Sequence, residues 1–175
     1  MIIWVNGAFG SGKSTTANKL QKLLVDSHIY DPEEAGFFIR NNAPKSMLKE
    51  DFQDIPLWRE INYKMLKTMN ESNDGVIIVP MTIINPDYYY DIIGKLIDEG
   101  VDVRHFILYL DKDMLTKRLR KRAWGFIHRE KFALDSIDHC IHSYDNYITE
   151  TKIMAHCKSA DIVASEIVTL CKLKS

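Results

Sequence analysis

Residues 7–15 read Gly7-Ala8-Phe9-Gly10-Ser11-Gly12-Lys13-Ser14-Thr15, a full match to G-x-x-x-x-G-K-[ST]. Holding a polyphosphate takes backbone N–H groups turned inward, and glycines permit both the dihedrals and the close approach this requires. A helix opening at Lys13 would add its positive N-terminal end. Lys13 can then reach β- and γ-phosphate oxygens, and the Ser14 hydroxyl can coordinate Mg²⁺. The same letters could occur in an ordinary glycine-rich turn. Context separates the two readings: the apolar run Ile2-Ile3-Trp4-Val5 precedes the loop and an amphipathic stretch follows it. The expected ligand is a nucleoside triphosphate, ATP with Mg²⁺.

A second group is Asp111-x-x-x-Leu115-x-x-Arg118-Leu119-x-x-Arg122. Arg118 and Arg122 stand four apart, so they share a helix face and could point together at phosphates, stabilising charge on a transferring group. The alternative is a solvated basic helix end favoured by the dipole, which suits Lys112, Lys117, Lys121, Arg129 and Lys131 better. The arrangement resembles small P-loop kinases acting on nucleotides, gluconate, shikimate or antibiotics, with a lid over about 118–131. Asp31 stands where such kinases place an acid that accepts a substrate hydroxyl proton or holds a metal-bound water. Asp31-Pro32-Glu33-Glu34 also reads as a helix cap, and one carboxylate can serve both roles.

Other nucleotide-binding classes fit less well. A GTPase base-reading Asn-Lys-x-Asp is absent, and Asp91-Ile92-Ile93-Gly94, which matches the switch Asp-x-x-Gly, falls inside an expected helix. Hydrolysis motors usually end the third strand with a carboxylate on Mg²⁺, whereas Val76-Ile77-Ile78-Val79-Pro80-Met81-Thr82 has none. Cys140, Cys157 and Cys171 are widely spaced reduced thiols rather than a disulfide or zinc framework. His139 and His142 lack the further ligands a metal site needs.

Positioning these residues calls for alternating strands and helices. Apolar runs mark strands at 2–5, 28–30, 76–79, 103–109 and 152–155; the third and fourth are continuous, as strands covered on both faces are. Amphipathic stretches mark helices at 13–25, 32–40, 56–69, 86–99, 111–122, 132–144 and 160–172. Asp31-Pro32 and Asn85-Pro86 signal helix starts, Ser159 can cap the last helix, and Gly100 suits a helix end. The 175 residues make one domain, 1–175, of α/β class: a P-loop NTPase, nucleotide-kinase-like three-layer sandwich with a five-stranded parallel sheet in order 2-3-1-4-5. Ligands in such sheets bind beyond the carboxyl ends of the strands, and the turn after the fifth strand, near His156 and Ser159, is where such kinases usually receive adenine. With Lys+Arg 23 against Asp+Glu 24, nothing global favours nucleic acid or an anionic membrane. A soluble, cytoplasmic protein follows, which could form a homodimer.

Several strings are more specific. Residues 1–13, Tyr30-Asp31-Pro32-Glu33, Asp51-Phe52-Gln53 with Pro56-Leu57-Trp58-Arg59, Ile78-Val79-Pro80-Met81-Thr82-Ile83 and Lys117-Arg118-Leu119-Arg120 resemble the bacterial tunicamycin-resistance proteins over nearly the whole chain. The resemblance implies an ATP-binding protein whose second ligand carries uracil, sugar hydroxyls and an acyl chain. It implies that Arg40, Trp58 and Arg59 could stack on or hydrogen-bond a base, that Thr82 could bond a hydroxyl, and that Met81 and some of Tyr88, Tyr89 and Tyr90 could meet the acyl chain. Trp58, Met65 and Met69 at helical spacing could equally be core, Arg59 could pair with Glu60 or Asp54, and Thr82 could serve a turn. The family pattern extends into a basic amphipathic segment that this chain, ending at Leu173-Lys174-Ser175, lacks, so no stable membrane anchor is expected. The function so implied is ATP-dependent phosphorylation of a nucleoside or sugar antibiotic. ATP-gated drug sequestration and a housekeeping nucleotide or sugar kinase are the alternatives.

Overall fold

The apolar run at the start of the chain becomes β1 (Ile2–Asn6), all five residues buried, at the centre of a parallel sheet of order β2-β3-β1-β4-β5. This is the expected order 2-3-1-4-5. The computed structural model describes residues 1–122, apart from the side chain of Arg122, and 133–173. Most of the expected lid at 118–131, with Arg129 and Lys131, lies outside the described residues.

After β1 come α1 (Lys13–Leu23), β2 (Ser27–Ile29), α2 (Pro32–Asn42), α3 (Pro56–Ser72) and β3 (Val76–Val79). Then follow α4, in three continuous pieces (Pro86–Tyr89, Tyr90–Gly94 and Lys95–Asp98), β4 (Val103–Tyr109) and α5 (Lys112–Arg122). The chain closes with α6 (Ile137–Asn146), β5 (Thr151–Met154) and α7 (Ala160–Leu170). Ile2 lies opposite Ile77 on one side and Val103 on the other.

Alternation along β1 sorts the molecule into three layers, because successive strand residues face opposite sides. Ile3 and Val5 pack with Leu20 of α1, Ile137 of α6 and Ile167 of α7. Ile2 and Trp4 pack on the other face with Ile39 of α2, Trp58 and Leu66 of α3, and Ile93 of α4. Burial on both faces explains why the central strands read as unbroken apolar runs.

The helix starts form as their sequences require. The Asp31 Oδ1 accepts from the Glu33 N–H at 3.0 Å, the Asn85 Oδ1 from the Asp87 N–H at 2.8 Å, and the Ser159 hydroxyl from the Ile162 N–H at 3.3 Å. Pro32 and Pro86 each follow their cap directly. The middle piece of α4, Tyr90–Gly94, is a π-helix, which periodicity does not reveal. It contains the Asp91-x-x-Gly94 string, so that string is helical as expected. No described helix is long and apolar enough to cross a membrane.

Candidate functional site

The glycine-rich loop joins β1 to α1 at the carboxyl edge of the sheet. Gly12 takes φ +103, a left-handed conformation costly for any side chain, and nothing lies within 4 Å of where its Cβ would be, so conformation rather than space demands glycine there. At Gly7 both demands apply: φ is +148, and a Cβ would fall 2.5 Å from the Ser11 Oγ and 3.0 Å from the Leu108 carbonyl oxygen. The Ser11 hydroxyl is buried with no hydrogen-bond partner. A native structure rarely tolerates such an orphan without a ligand or water to satisfy it. The Lys13 Nζ lies 2.9 Å from the Gly7 carbonyl oxygen, 3.3 Å from that of Ala8, and 5.5 Å from the Phe9 ring centre. Ser14 and Thr15 are exposed at the start of α1.

The loop opens on a cleft of about 170 Å³ lined by Ser11, Gly12, Thr15, Arg118, Ala155 and Lys158, among others. Phosphate loop, α5 and the turn after β5 therefore share one hollow. Arg118 is half-buried there and its Nη1 donates to the Ser11 carbonyl at 3.2 Å. The Lys158 Nζ, from the turn after β5, pairs with Glu166 at 2.6 Å. The side chain of Arg122 lies outside the described residues. The orphan hydroxyl, inward-turned glycines and cations suit a triphosphate. For Mg²⁺ the Ser14 hydroxyl would supply one ligand; among the described residues no cluster of three His, Cys, Asp or Glu gathers, so phosphate oxygens and water would complete the shell.

Asp31 is exposed just past β2. Beside it the Tyr30 hydroxyl donates to the Asn62 Oδ1 at 2.7 Å, and burial, then the charge of Asp31, pushes this phenol up to about 12.

The side chains expected to meet the second ligand are distributed differently. Trp58 is 0% exposed, its Nε1 donates to the Pro32 carbonyl at 2.9 Å, and its ring lies 5.2 Å from that of Phe52. It is a core residue and offers no face for stacking. Met81 is also buried, and its carbonyl accepts from the Trp4 Nε1 at 3.0 Å. The Thr82 hydroxyl points to the loop, donating to the Gly7 carbonyl at 2.8 Å, while the Gln53 amide donates to the Thr82 carbonyl at 3.1 Å. Arg59 pairs with Asp91 at 2.9 Å, rather than with Glu60 or Asp54, and lies 4.3 Å from the Tyr88 ring centre. The carboxyl of Asp91 is held below its usual range by Lys95 and then by Arg59. Arg40 is exposed over Phe52 and donates to the Glu50 carbonyl at 2.8 Å.

Two site residues escaped sequence reasoning. Asn6 is fully buried; its Oδ1 accepts from the Gly7 N–H at 2.8 Å, the Ile83 N–H at 3.0 Å and the Tyr144 hydroxyl at 2.9 Å. Its Nδ2 donates to the Ile83 carbonyl at 2.8 Å. Tyr144, on α6, is buried and its phenol is raised well above its ordinary value by that burial. The available signal was a polar residue closing an otherwise apolar strand, immediately before the loop.

No family model and no curated protein matches the sequence. Solved structures do. The tunicamycin resistance protein of Deinococcus radiodurans is 25% identical over 99% of this chain and 96% of its own, with a TM-score of 0.81. Deoxyadenosine kinase from M. mycoides is 16% identical over 98% and 99% of the two chains, with a TM-score of 0.60. Shikimate kinase from Bacteroides thetaiotaomicron is 18% identical over 99% and 99%, with a TM-score of 0.59. The chain has the fold of P-loop kinases, and its resemblance to tunicamycin-resistance proteins extends to the structure.

Proposed function

We propose that this protein binds ATP with Mg²⁺ and phosphorylates a hydroxyl of a small molecule, a tunicamycin-like nucleoside or sugar compound, in the cytoplasm. The observation that carries the reading is the buried, unpartnered Ser11 hydroxyl within a glycine loop that shares one cleft with Arg118 and Lys158. The likeness to the tunicamycin resistance protein supports the choice of acceptor.

MgATP supplies the phosphoryl group and part of its charge neutralisation when bound. The loop N–H groups and Lys13 hold the phosphates, and the Ser14 hydroxyl orients the metal. Arg118 offers positive charge from α5, with Arg122 as its expected companion. The Asp31 Oδ1 caps α2, which leaves Oδ2 to take the proton of the acceptor hydroxyl.

The test is mass spectrometry of tunicamycin after incubation with MgATP and protein. A phosphorylated product is expected; an unchanged drug beside a folded, ATP-bound protein would sink the reading. ATP-gated sequestration is favoured by one feature, the neutral Thr82 beyond β3 where hydrolysis motors carry a carboxylate. On that reading Asp31→Asn retains drug binding and resistance alike.

A further inference from the structure

We propose that Lys158, in the turn after β5, is a nucleotide-binding residue that holds the nucleoside diphosphate part of the triphosphate, away from the phosphoryl group that is transferred. The inference rests on the nucleotide reading above, and gives a part to a cleft cation which that reading leaves unused.

Lys158 lines the same hollow as Ser11, Gly12 and Thr15 of the phosphate loop. Of the side chains around this hollow, Arg118 and Lys158 are cationic and none is acidic, so it favours an anion. The segment that carries Lys158 otherwise adds Ala155, Ala160 and Val163 to the lining. Small apolar side chains suit a base or a sugar rather than a further phosphate. The lysine ammonium has three donors. One is taken by the Glu166 Oε2 at 2.6 Å, and no other described residue accepts from it. Glu166, on α7, therefore fixes the end of the lysine stem while two donors stay available to a ligand. Lys158 need not leave Glu166 to bind.

The sheet order decides which part of the nucleotide meets it. Asp31 follows β2 at one edge of the sheet and Lys158 follows β5 at the other, with the loop after β1 midway. At about 4.8 Å per strand the two edges stand about 19 Å apart, each about 10 Å from the loop. The proposed base must face the γ-phosphate through the acceptor, so the γ-phosphate lies toward β2 and the rest of the nucleotide leads toward β5. Lys13 follows the same polarity: it reaches back to the Gly7 and Ala8 carbonyls, whereas the hollow with Lys158 meets α1 at Thr15 and Thr16. Lys158 thus meets the α-phosphate and ribose, which ATP and ADP share.

The experiment titrates wild type, Lys158→Met and Lys158→Arg calorimetrically with MgATP and with MgADP, and records thermal unfolding of each protein without nucleotide. Methionine keeps an unbranched stem and removes the ammonium, while arginine keeps a cation. Lys158→Met is expected to weaken MgATP and MgADP binding by the same factor, about tenfold, the weight of one charge-assisted hydrogen bond in a cleft open to water. Its nucleotide-free melting temperature should stay near that of wild type, because an ion pair this exposed contributes little to stability. Lys158→Arg should recover most of the lost affinity. Wild-type affinity in Lys158→Met overturns the inference alone, as does a loss confined to MgATP, or an arginine variant as weak as methionine. A wild type that binds neither nucleotide removes the nucleotide reading as well.

Discussion

His105, in the middle of β4, should make this protein sensitive to mild acid. Its side chain is 2% exposed, packed between Trp4 on the neighbouring strand and the stacked ring of Tyr89 at 5.5 Å. Neither ring nitrogen has a hydrogen-bond partner. Glu150 lies 3.8 Å from Nδ1, inside ion-pair range but too far for a hydrogen bond, so burial dominates and holds the imidazole down at about 3 against an ordinary 6.5. The folded state therefore keeps His105 neutral while the unfolded chain takes up a proton below 6.5. Stability is intact above that value and is lost as pH falls toward 3. At pH 5 the depressed imidazole alone removes about 2 kcal/mol, a sizeable part of the roughly 5–15 kcal/mol of a typical domain. Urea denaturation followed by tryptophan fluorescence, from about pH 7 to about pH 5, should show this slope in wild type and a flatter one in His105→Phe. Carboxylates titrating in both proteins cancel in the difference. Parallel slopes, or a wild type that gains stability toward acid, would refute the reasoning.

Asp31 can be separated from its cap. Asp31→Asn preserves an N-cap residue and should leave the melting temperature nearly unchanged while lowering kcat at least a hundredfold; Asp31→Ala should in addition cost about 1 kcal/mol in urea denaturation. Equal kcat in wild type and Asp31→Asn would leave the carboxylate only its cap. Ser11→Ala removes a buried hydroxyl that lacks a partner, so the nucleotide-free protein should hold or gain up to about 1 kcal/mol. Its MgATP affinity should fall severalfold by calorimetry, and unchanged affinity would mean that the hydroxyl does not meet the ligand.

The fold was legible because its signals are local. Continuous apolar runs at β1 and β3, and Phe106 to Leu108 within β4, reflect burial on both faces, and Asp31-Pro32, Asn85-Pro86 and Ser159 carry their helix starts within a few residues. The loop was legible for the same reason, since Gly7 to Thr15 make one contiguous structure. The second half of the site was not. Trp58 at helical spacing could face core or cleft, and only the placement of Phe52 and Pro32 decides for the core. Arg59 chose Asp91, 32 residues away, over nearer carboxylates because α4 brings that residue alongside α3. Asn6 meets Tyr144 across 138 residues, a pairing that no periodicity encodes.

The sheet register constrains where an acceptor can lie. Ile29 pairs with Ile78, and Val79 with Trp4, so Asp31 stands level with Pro80, and Met81 stands level with Asn6 at the mouth of the loop. β3 lies between the proposed base and the loop, which separates strands β2 and β1 by about 10 Å. An acceptor joining them must lie over the segment from Pro80 to Thr82. That floor offers few polar contacts: Pro80 and Met81 are buried, the Thr82 hydroxyl is committed to Gly7, and its carbonyl accepts from Gln53. Discrimination between acceptors must then come from the walls. Beyond β2 stands Asp31, and the segment 51–54 is tied to the floor by the Gln53 amide, anchored by Arg59 donating to the Gln53 carbonyl and braced by Tyr88 through Asp54. Substitutions at Gln53 should therefore alter acceptor choice, whereas substitutions at Trp58 should act through stability, because the Gln53 amide reaches the Thr82 carbonyl while Trp58 is 0% exposed.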